Sequence, residues 1–284
     1  MAVKIEEQID EAFEFLPEGF ALCFTGPSGT GKTYNVSRLA KRFGYHVVNP
    51  KDPTTQTNSK IAINFYDEAQ MMKRIEQEKL LTLIDGGCSY QWTKDERGIP
   101  QIVQKPAKFI FATTHLGDLI EALRTRCIEI NFGFYSPKDM AVILKINFPD
   151  LPDHLIEKLV KVSKGTPRQG VKLGKYLVQL LQKGASEDVA YKQALRIVGV
   201  NEDGFTRNDL IYLTTLFQEA TSERGTISEK GLSQNIGIDI KTVRDTIESY
   251  LIREKFIQIT NKGRKLTPLG NDYVREKVVI TIDK

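Results

Sequence analysis

Gly26-Pro27-Ser28-Gly29-Thr30-Gly31-Lys32-Thr33 has the spacing G-x-x-x-x-G-K-T of a phosphate-binding loop, and its flanks are those the pattern requires. Ahead of it, Phe20-Ala21-Leu22-Cys23-Phe24-Thr25 reads as a short buried strand. Behind it, Val36, Leu39, Ala40 and Phe43 recur at helical spacing, with Gly44 as a stop. Glycines allow the backbone to curl so that successive N–H groups converge on phosphate oxygens, and the N-terminus of the following helix adds partial positive charge. In such a loop Lys32 reaches the β- and γ-phosphates of a nucleoside triphosphate and the Thr33 hydroxyl a Mg²⁺ ion. Gly26 to Thr33, with Tyr34 next in line, form the candidate nucleotide-binding set.

Working outward, Ile61-Ala62-Ile63-Asn64-Phe65-Tyr66-Asp67-Glu68 is an apolar strand ending in two carboxylates, the form of a Walker B element. Asp67 is then a Mg²⁺ ligand, and Glu68 orients and polarises the attacking water. Asn64 interrupts the apolar run. Taken alone, the acidic pair also suits the N-terminus of a helix, here expected from Ala69 to Ile84. Ser89 to Thr93 and Ile99 to Val103 read as a hairpin around the charged tip Lys94 to Gly98. Phe109 to Thr114 is a further buried strand. A helical stretch with Leu116, Leu119, Ile120 and Leu123 follows, then a last strand from Ile128 to Phe132. On the N-terminal side, a helix is expected over 4–16, a second strand at Tyr45 to Val48, and a polar, Pro-broken loop from Asn49 to Lys60. Strands alternating with helices predict an α/β fold with a parallel sheet covered on both faces.

The character changes at Ser136-Pro137, an N-cap followed by Pro at the first helical position. From there to Val200 the chain reads helical, with the break Gly165-Thr166-Pro167-Arg168 opening one helix. Gly199 to Gly204 reads as a linker. Beyond it, Leu210, Leu213 and Phe217 mark a helix, Ser228 caps a second, and Ile240, Val243, Ile247 and Leu251 mark a third. Phe256 to Thr260 and Lys265 to Thr267 flank the basic turn Asn261 to Arg264. Three helices and a hairpin give the winged-helix layout. The expected domains are a nucleotide-binding domain at 1–135, a helical lid at 136–203 and a winged helix at 204–284.

At 284 residues the chain can bury a sizeable core, and 40% hydrophobic with 27% charged residues places it among soluble globular proteins. A net charge of +4 permits nucleic-acid binding without requiring it. The three cysteines, Cys23, Cys88 and Cys127, have neither the pairing nor the spacing of a disulfide framework or zinc site. The N-terminus lacks a signal peptide's layout and no apolar run reaches membrane-spanning length, so a reducing, cytoplasmic setting without membrane association is expected.

Placed in order, these elements resemble an AAA+ ATPase with a helical lid and a C-terminal winged helix, and most closely the RuvB family of Holliday-junction branch-migration motors. The resemblance runs from about Phe20 to Thr267. It is carried by the two nucleotide motifs and by Ala112-Thr113-Thr114, Leu123-Arg124-Thr125-Arg126, Gly165-Thr166-Pro167-Arg168, Gly204-Phe205, Tyr250-Leu251-Ile252 and Gly263-Arg264. It implies Thr114 as sensor 1, Arg168 as sensor 2, and Arg126, with Arg124 as second choice, as the arginine finger offered to a neighbouring subunit. It further implies ATP and Mg²⁺ as cofactors, a homo-oligomeric ring, by analogy a hexamer, and duplex or four-way-junction DNA as partner. Candidate DNA contacts are Lys241 and Arg244 on the third helix and Lys262, Arg264 and Lys265 at the wing. No Asn or Gln on that helix offers a pair for adenine, so binding through phosphates without sequence preference is expected. Three features depart from the family. The segment ahead of the phosphate loop is about two dozen residues, the loop from Pro50 to Lys60 is compact, and the hairpin tip is charged where the family presents apolar residues to its loading partner RuvA. A RuvA-like partner is therefore not assigned. A clamp-loader-like or initiator-like ATPase, and a DNA-binding regulator with ATP-controlled assembly, are the competing readings.

Overall fold

Side chains alternate from face to face along β1 (Ala21–Thr25), and that alternation organises the first half of the molecule. The computed structural model describes residues 2–49, 62–94, 97, 99–220 and 225–278. Two compact units form, residues 1–143 with 165–168 and residues 144–164 with 169–284. In the first, β2 (His46–Val48), β3 (Ala62–Tyr66), β5 (Pro100–Thr113), β1 and β6 (Cys127–Asn131) lie side by side in that order, all parallel. β4 (Cys88–Lys94) pairs antiparallel with the first half of β5. Leu22 and Phe24, with Ile63, Phe65, Ile110, Ala112 and Ile130, face α1 (Ala2–Glu14) and α2 (Lys32–Phe43). Ala21, Cys23, Phe109 and Phe111 face the other way, against α3 (Arg74–Asp85) and α4 (Glu121–Arg124). The parallel sheet covered on both faces is thus as expected.

Polar groups fasten the α1 face. Asp10 on α1 takes Arg38 at 2.8 Å and also Arg42, both from α2. Lys108, on the same face of β5, donates to the Phe13 carbonyl at 2.5 Å with its ammonium 4.7 Å above the Phe13 ring. The Asn64 amide nitrogen, in a side chain 3% exposed, has no hydrogen-bond partner among the described residues.

Four local expectations need correction. The helix foreseen from Ala69 to Ile84 is broken into a 3₁₀ turn at Ala69–Met71 and α3, with Met72 and Lys73 extended between them. The Glu76 carboxylate accepts the Lys73 N–H at 2.8 Å and starts the new helix there. The hairpin arm and the buried strand at Phe109 are one continuous strand, β5. The helix foreseen from Leu116 is a 3₁₀ turn followed by the single-turn α4, because the Ile120 N–H goes to the Gln77 side chain at 2.7 Å. The linker at Gly199 to Gly204 is a closed turn. There Asn201 Oδ1 takes the N–H groups of Asp203 and Phe205 at 3.0 and 2.8 Å, and a Cβ on Gly204 would lie 2.6 Å from the Val162 carbonyl oxygen. The loop expected between Pro50 and Lys60, and Asp95, Glu96 and Gly98 of the hairpin tip, lie outside the described residues.

Ser136 caps α5 (Pro137–Asn147) as foreseen, accepting the Asp139 N–H at 3.2 Å. The second unit then contains α6 (Asp153–Val162), most of α7 (Pro167–Gln182) and α8 (Glu187–Val198). Its winged helix comprises α9 (Arg207–Glu219), α10 (Glu229–Ile236), a third helix from α11 (Ile240–Thr242) through a π-helical stretch to α12 (Ser249–Arg253), and the wing strands β7 (Ile257–Thr260) and β8 (Gly263–Leu266). A further helix, α13 (Pro268–Tyr273), was not foreseen. No helix among the described residues is long and apolar enough to cross a membrane.

The core of the winged helix holds a charge. Glu248 is 1% exposed and accepts from the Tyr212 hydroxyl at 2.9 Å. Arg264 closes the site from the wing, donating to both Glu248 oxygens at 2.9 and 3.2 Å and pairing with Glu229 at 3.0 Å. Arg264 is therefore turned into the domain, which corrects its placement among the outward wing cations. Removing it would leave Glu248 buried without a counter-charge, which costs about 3–5 kcal/mol. Arg264→Ala should lower the urea midpoint accordingly, whereas Lys262→Ala should leave it within about 0.5 kcal/mol of the parent. Asn64→Leu, which removes a buried amide nitrogen without a partner while keeping a branched side chain, should raise stability by about 1–2 kcal/mol in the same titration.

Candidate nucleotide-binding and hydrolysis site

All carboxyl ends of a parallel sheet open on the same edge, and ligand sites gather there. The loop after β1 carries Gly26 to Thr33, the turn after β3 carries Asp67 and Glu68, and β5, lying between those two strands, ends at Thr113 beside Thr114. Fold topology alone therefore brings three distant sequence motifs to one rim.

Gly26, Gly29 and Gly31 have φ of 127°, 82° and 100°, the left-handed conformations that curl the loop. Gly26 has a second constraint, since a Cβ there would meet the Phe132 carbonyl oxygen at 2.1 Å. Thr30 is buried, its hydroxyl donating to the Pro27 carbonyl at 2.9 Å, and the Tyr135 hydroxyl donates to the Thr30 carbonyl at 3.1 Å. Ser28, Thr33 and Tyr34 are exposed. Lys32 is 8% exposed and donates to the carbonyls of Gly26 and Pro27 at 2.6 and 2.9 Å. Burial holds its pKa below the usual lysine value. Glu68 and Asp67 pull the other way, and Arg168 adds to the lowering.

Thr33 and Asp67, the two proposed magnesium ligands, already meet, with the hydroxyl donating to Asp67 Oδ2 at 3.0 Å. Hydroxyl and carboxylate oxygens side by side below a phosphate cradle are a donor set that suits Mg²⁺. Glu68 has φ 50° and ψ 50°, a left-handed backbone rare outside glycine that costs on the order of 1–3 kcal/mol. Such strain held at one carboxylate is characteristic of reactive sites.

Gly165–Arg168 belongs to the first unit although it opens α7. Gly165 accepts the Tyr135 N–H at 2.9 Å, the Arg168 N–H donates to the Gly29 carbonyl at 3.2 Å, and the Arg168 guanidinium donates to the Ser28 hydroxyl at 3.1 Å. Arg168, the residue expected from the sequence to be sensor 2, thus stands beside the phosphate loop.

The two finger candidates differ. Arg126 is held by Asp85 through paired hydrogen bonds at 2.6 and 3.0 Å and by the Ala122 carbonyl at 2.9 Å. The Arg124 side chain is exposed, without a hydrogen bond or ion pair among the described residues. Neither arginine contacts the phosphate loop of its own chain in the hydrogen bonds and ion pairs described.

Of the candidate DNA contacts, Lys241 and Lys262 are exposed and Lys265 half-buried, all without side-chain partners among the described residues. Arg244 is exposed but engaged by Glu229 through two hydrogen bonds at 2.9 and 3.0 Å.

Two glutamines escaped the reading of the sequence. Gln77 is 2% exposed and ties α3 to the Asp118 carbonyl and the Ile120 N–H. Gln70 lies between Glu68 and the threonines that end β5. The only signal in the sequence was a glutamine two residues after the acidic pair, and a continuous helix would have pointed it away.

Comparison with known proteins agrees with this picture. Residues 202–275 match the RuvB C-terminal winged helix domain. The RuvB subunit of the Holliday junction branch migration complex of Phytoplasma mali is 26% identical over 268 residues, 87% of this chain and 80% of that protein. Its counterpart in Helicobacter acinonychis is 28% identical over 275 residues, 87% of this chain and 79% of that protein. The solved structure of the Thermotoga maritima RuvB branch migration motor superposes with a TM-score of 0.71 at 22% identity, covering 96% of this chain and 93% of that one. The chain is accordingly RuvB-like: it has the α/β P-loop AAA+ fold, and residues 202–275 match the RuvB winged helix.

Proposed function

We propose that the protein is an ATP-driven ring motor that moves branched or duplex DNA, in the manner of Holliday-junction branch migration. The observation that carries this reading is the presence, in one chain, of a match to the RuvB winged helix and of a sheet edge where phosphate loop, acidic pair and Arg168 gather. Three candidate DNA-contact lysines, Lys241, Lys262 and Lys265, and a nucleotide site in one polypeptide are what a motor needs. The division 1–135, 136–203 and 204–284 into motor core, lid and DNA-holding domain is part of the same proposal, as is a cytoplasmic location.

In this reading Lys32 and the loop N–H groups bind the triphosphate, and Thr33 and Asp67 hold Mg²⁺. The ion's contribution when bound is to neutralise charge on the β- and γ-oxygens. Glu68 orients the attacking water, Thr114 offers its hydroxyl to the γ-phosphate, and Arg168 reaches the same phosphate from the start of α7. Arg126 serves a neighbouring subunit's site, so a homo-oligomeric ring, by analogy a hexamer, is the working species.

The direct test is ATP hydrolysis with and without a synthetic four-way junction, together with dissociation of that junction. Junction-stimulated hydrolysis and strand separation are expected. Stimulated hydrolysis without strand movement would fit a loader, and absence of turnover would fit a regulator. Lys32→Ala should lose ATP binding, whereas Glu68→Gln should bind ATP and fail to hydrolyse it. A finger acting in trans contributes ~10³-fold or more to turnover. Arg126→Ala should therefore be nearly inactive, yet mixtures with Lys32→Ala should regain activity, because mixed rings rebuild some complete sites. Each phosphate contact removed lowers the slope of log K against log salt by roughly 0.9. Lys262→Ala with Lys265→Ala should flatten that slope by up to about 1.8 for every duplex sequence and spare hydrolysis without DNA.

A further inference from the structure

The break between Glu68 and α3 places a side chain that a continuous helix would send elsewhere. Residues two apart on a helix do not face each other. Here Glu68 is left-handed and Ala69–Met71 is a tight 3₁₀ turn, closed by the Met71 N–H on the Glu68 carbonyl at 2.9 Å. Gln70 consequently folds back onto Glu68, and its amide nitrogen donates to Glu68 Oε2. The same nitrogen donates to the Thr114 hydroxyl at 3.2 Å. On the other side of the amide, the oxygen accepts from the Thr113 hydroxyl at 2.8 Å.

Chemistry fixes which way round this amide lies. Thr113 is 1% exposed, accepts the His115 N–H at 3.0 Å and donates its own proton to Gln70 Oε1. That leaves both Gln70 N–H bonds for Glu68 and Thr114, and an ionised Glu68 can only accept. Thr114 accepts from Gln70 and shares a further hydrogen bond with His115 Nδ1 at 2.9 Å, which fixes the position of its hydroxyl oxygen. One amide thereby joins the carboxylate that orients water to the hydroxyl that senses the γ-phosphate, and anchors both to the end of β5.

We infer that Gln70 is a positioning residue for hydrolysis, holding Glu68 and Thr114 in fixed relation so that water and γ-phosphate are addressed together. This rests on the roles proposed above for Glu68 and Thr114. Gln70 touches no reacting atom itself. Supporting residues of this kind change activity by about 10–100-fold when removed.

The test measures steady-state ATP hydrolysis by the full chain, with ATP binding by calorimetry and thermal melting alongside. Gln70→Ala should lower kcat about 10–100-fold with KM and ATP affinity within about two-fold of the parent. Gln70→Glu keeps the volume and the acceptor for Thr113 but loses both N–H donors and sets a second carboxylate against Glu68. It should be at least as impaired as Gln70→Ala, a result that a packing role would not produce. Thr113→Val, which removes the anchor, should show the same kcat defect, and the Gln70→Ala/Thr113→Val pair should be no worse than either alone. A Gln70→Ala kcat within two-fold of the parent, a normal Gln70→Glu, or additive losses in the pair would each overturn the inference. Glu68→Gln separates the two levels. If it is inactive while Gln70→Ala is normal, only the role of Gln70 fails; if it turns over normally, the assignment of Glu68 itself fails.

Discussion

Gly26 has no room for a side chain. Its α-carbon sits so close to the Phe132 carbonyl that even a methyl group would overlap it. The contact joins the end of β1 to the chain leaving β6, and the Phe132 N–H returns to the Thr25 carbonyl at 2.7 Å. Everything on the reactive edge is placed from this junction. The loop begins its curl there, α2 inherits its direction from the loop, and the Tyr135 hydroxyl that steadies Thr30 follows three residues after Phe132. Close backbone approach, more than any side-chain contact, sets the geometry on which nucleotide chemistry depends.

Charge is used in two ways in the winged helix, and distinguishing them changes which arginines and lysines matter for DNA. Glu248 lies in a core otherwise made of Phe205, Leu213, Leu216, Val243 and Leu251. An ion in such surroundings must be matched closely, and Arg264, Tyr212 and Glu229 supply that match. The hydrogen bonds raise the Arg264 pKa and, with burial as the larger cause, that of Tyr212. The remaining wing cations carry no such obligation, so their field extends into solvent where a phosphate backbone can meet it. A basic turn read from sequence is thus a mixture of structural and outward-facing charge.

Much of this arrangement was legible because it follows from local rules. The glycine spacing of the loop, the apolar runs of β1 and β3, the Ser136-Pro137 start of α5 and the wing turn are each determined by neighbours in sequence. What escaped depends on partners far along the chain. The helix after Glu68 breaks where Gln70 reaches Thr113 and Thr114, 43 and 44 residues away, and Gln77 reaches Ile120, 43 residues away. Arg264 looked like a surface cation because Glu248, 16 residues earlier, gives no sign in sequence of being buried. Periodicity misread β5 as two strands, since Pro106 interrupts the run where the antiparallel partner ends and the parallel ones begin.

The unbroken length of β5 has a consequence for how such a chain can vary. Fourteen residues at about 3.3 Å each make a rod of roughly 43 Å between its first and last α-carbons. One end is the outlying hairpin arm and the other is Thr113 on the reactive edge. Its side chains keep a single beat throughout, with Ile102, Gln104 and Pro106 outward on the arm and Phe109 and Phe111 buried in the sheet. Residues can be gained or lost at the tip, where pairing has ended, and neither end notices. A single residue gained between Val103 and Ala107 would reverse one end relative to the other, sending Phe109 and Phe111 to the face packed by α1 and α2 or turning the arm over. By this register the arm can be lengthened without turning one end over only two residues at a time.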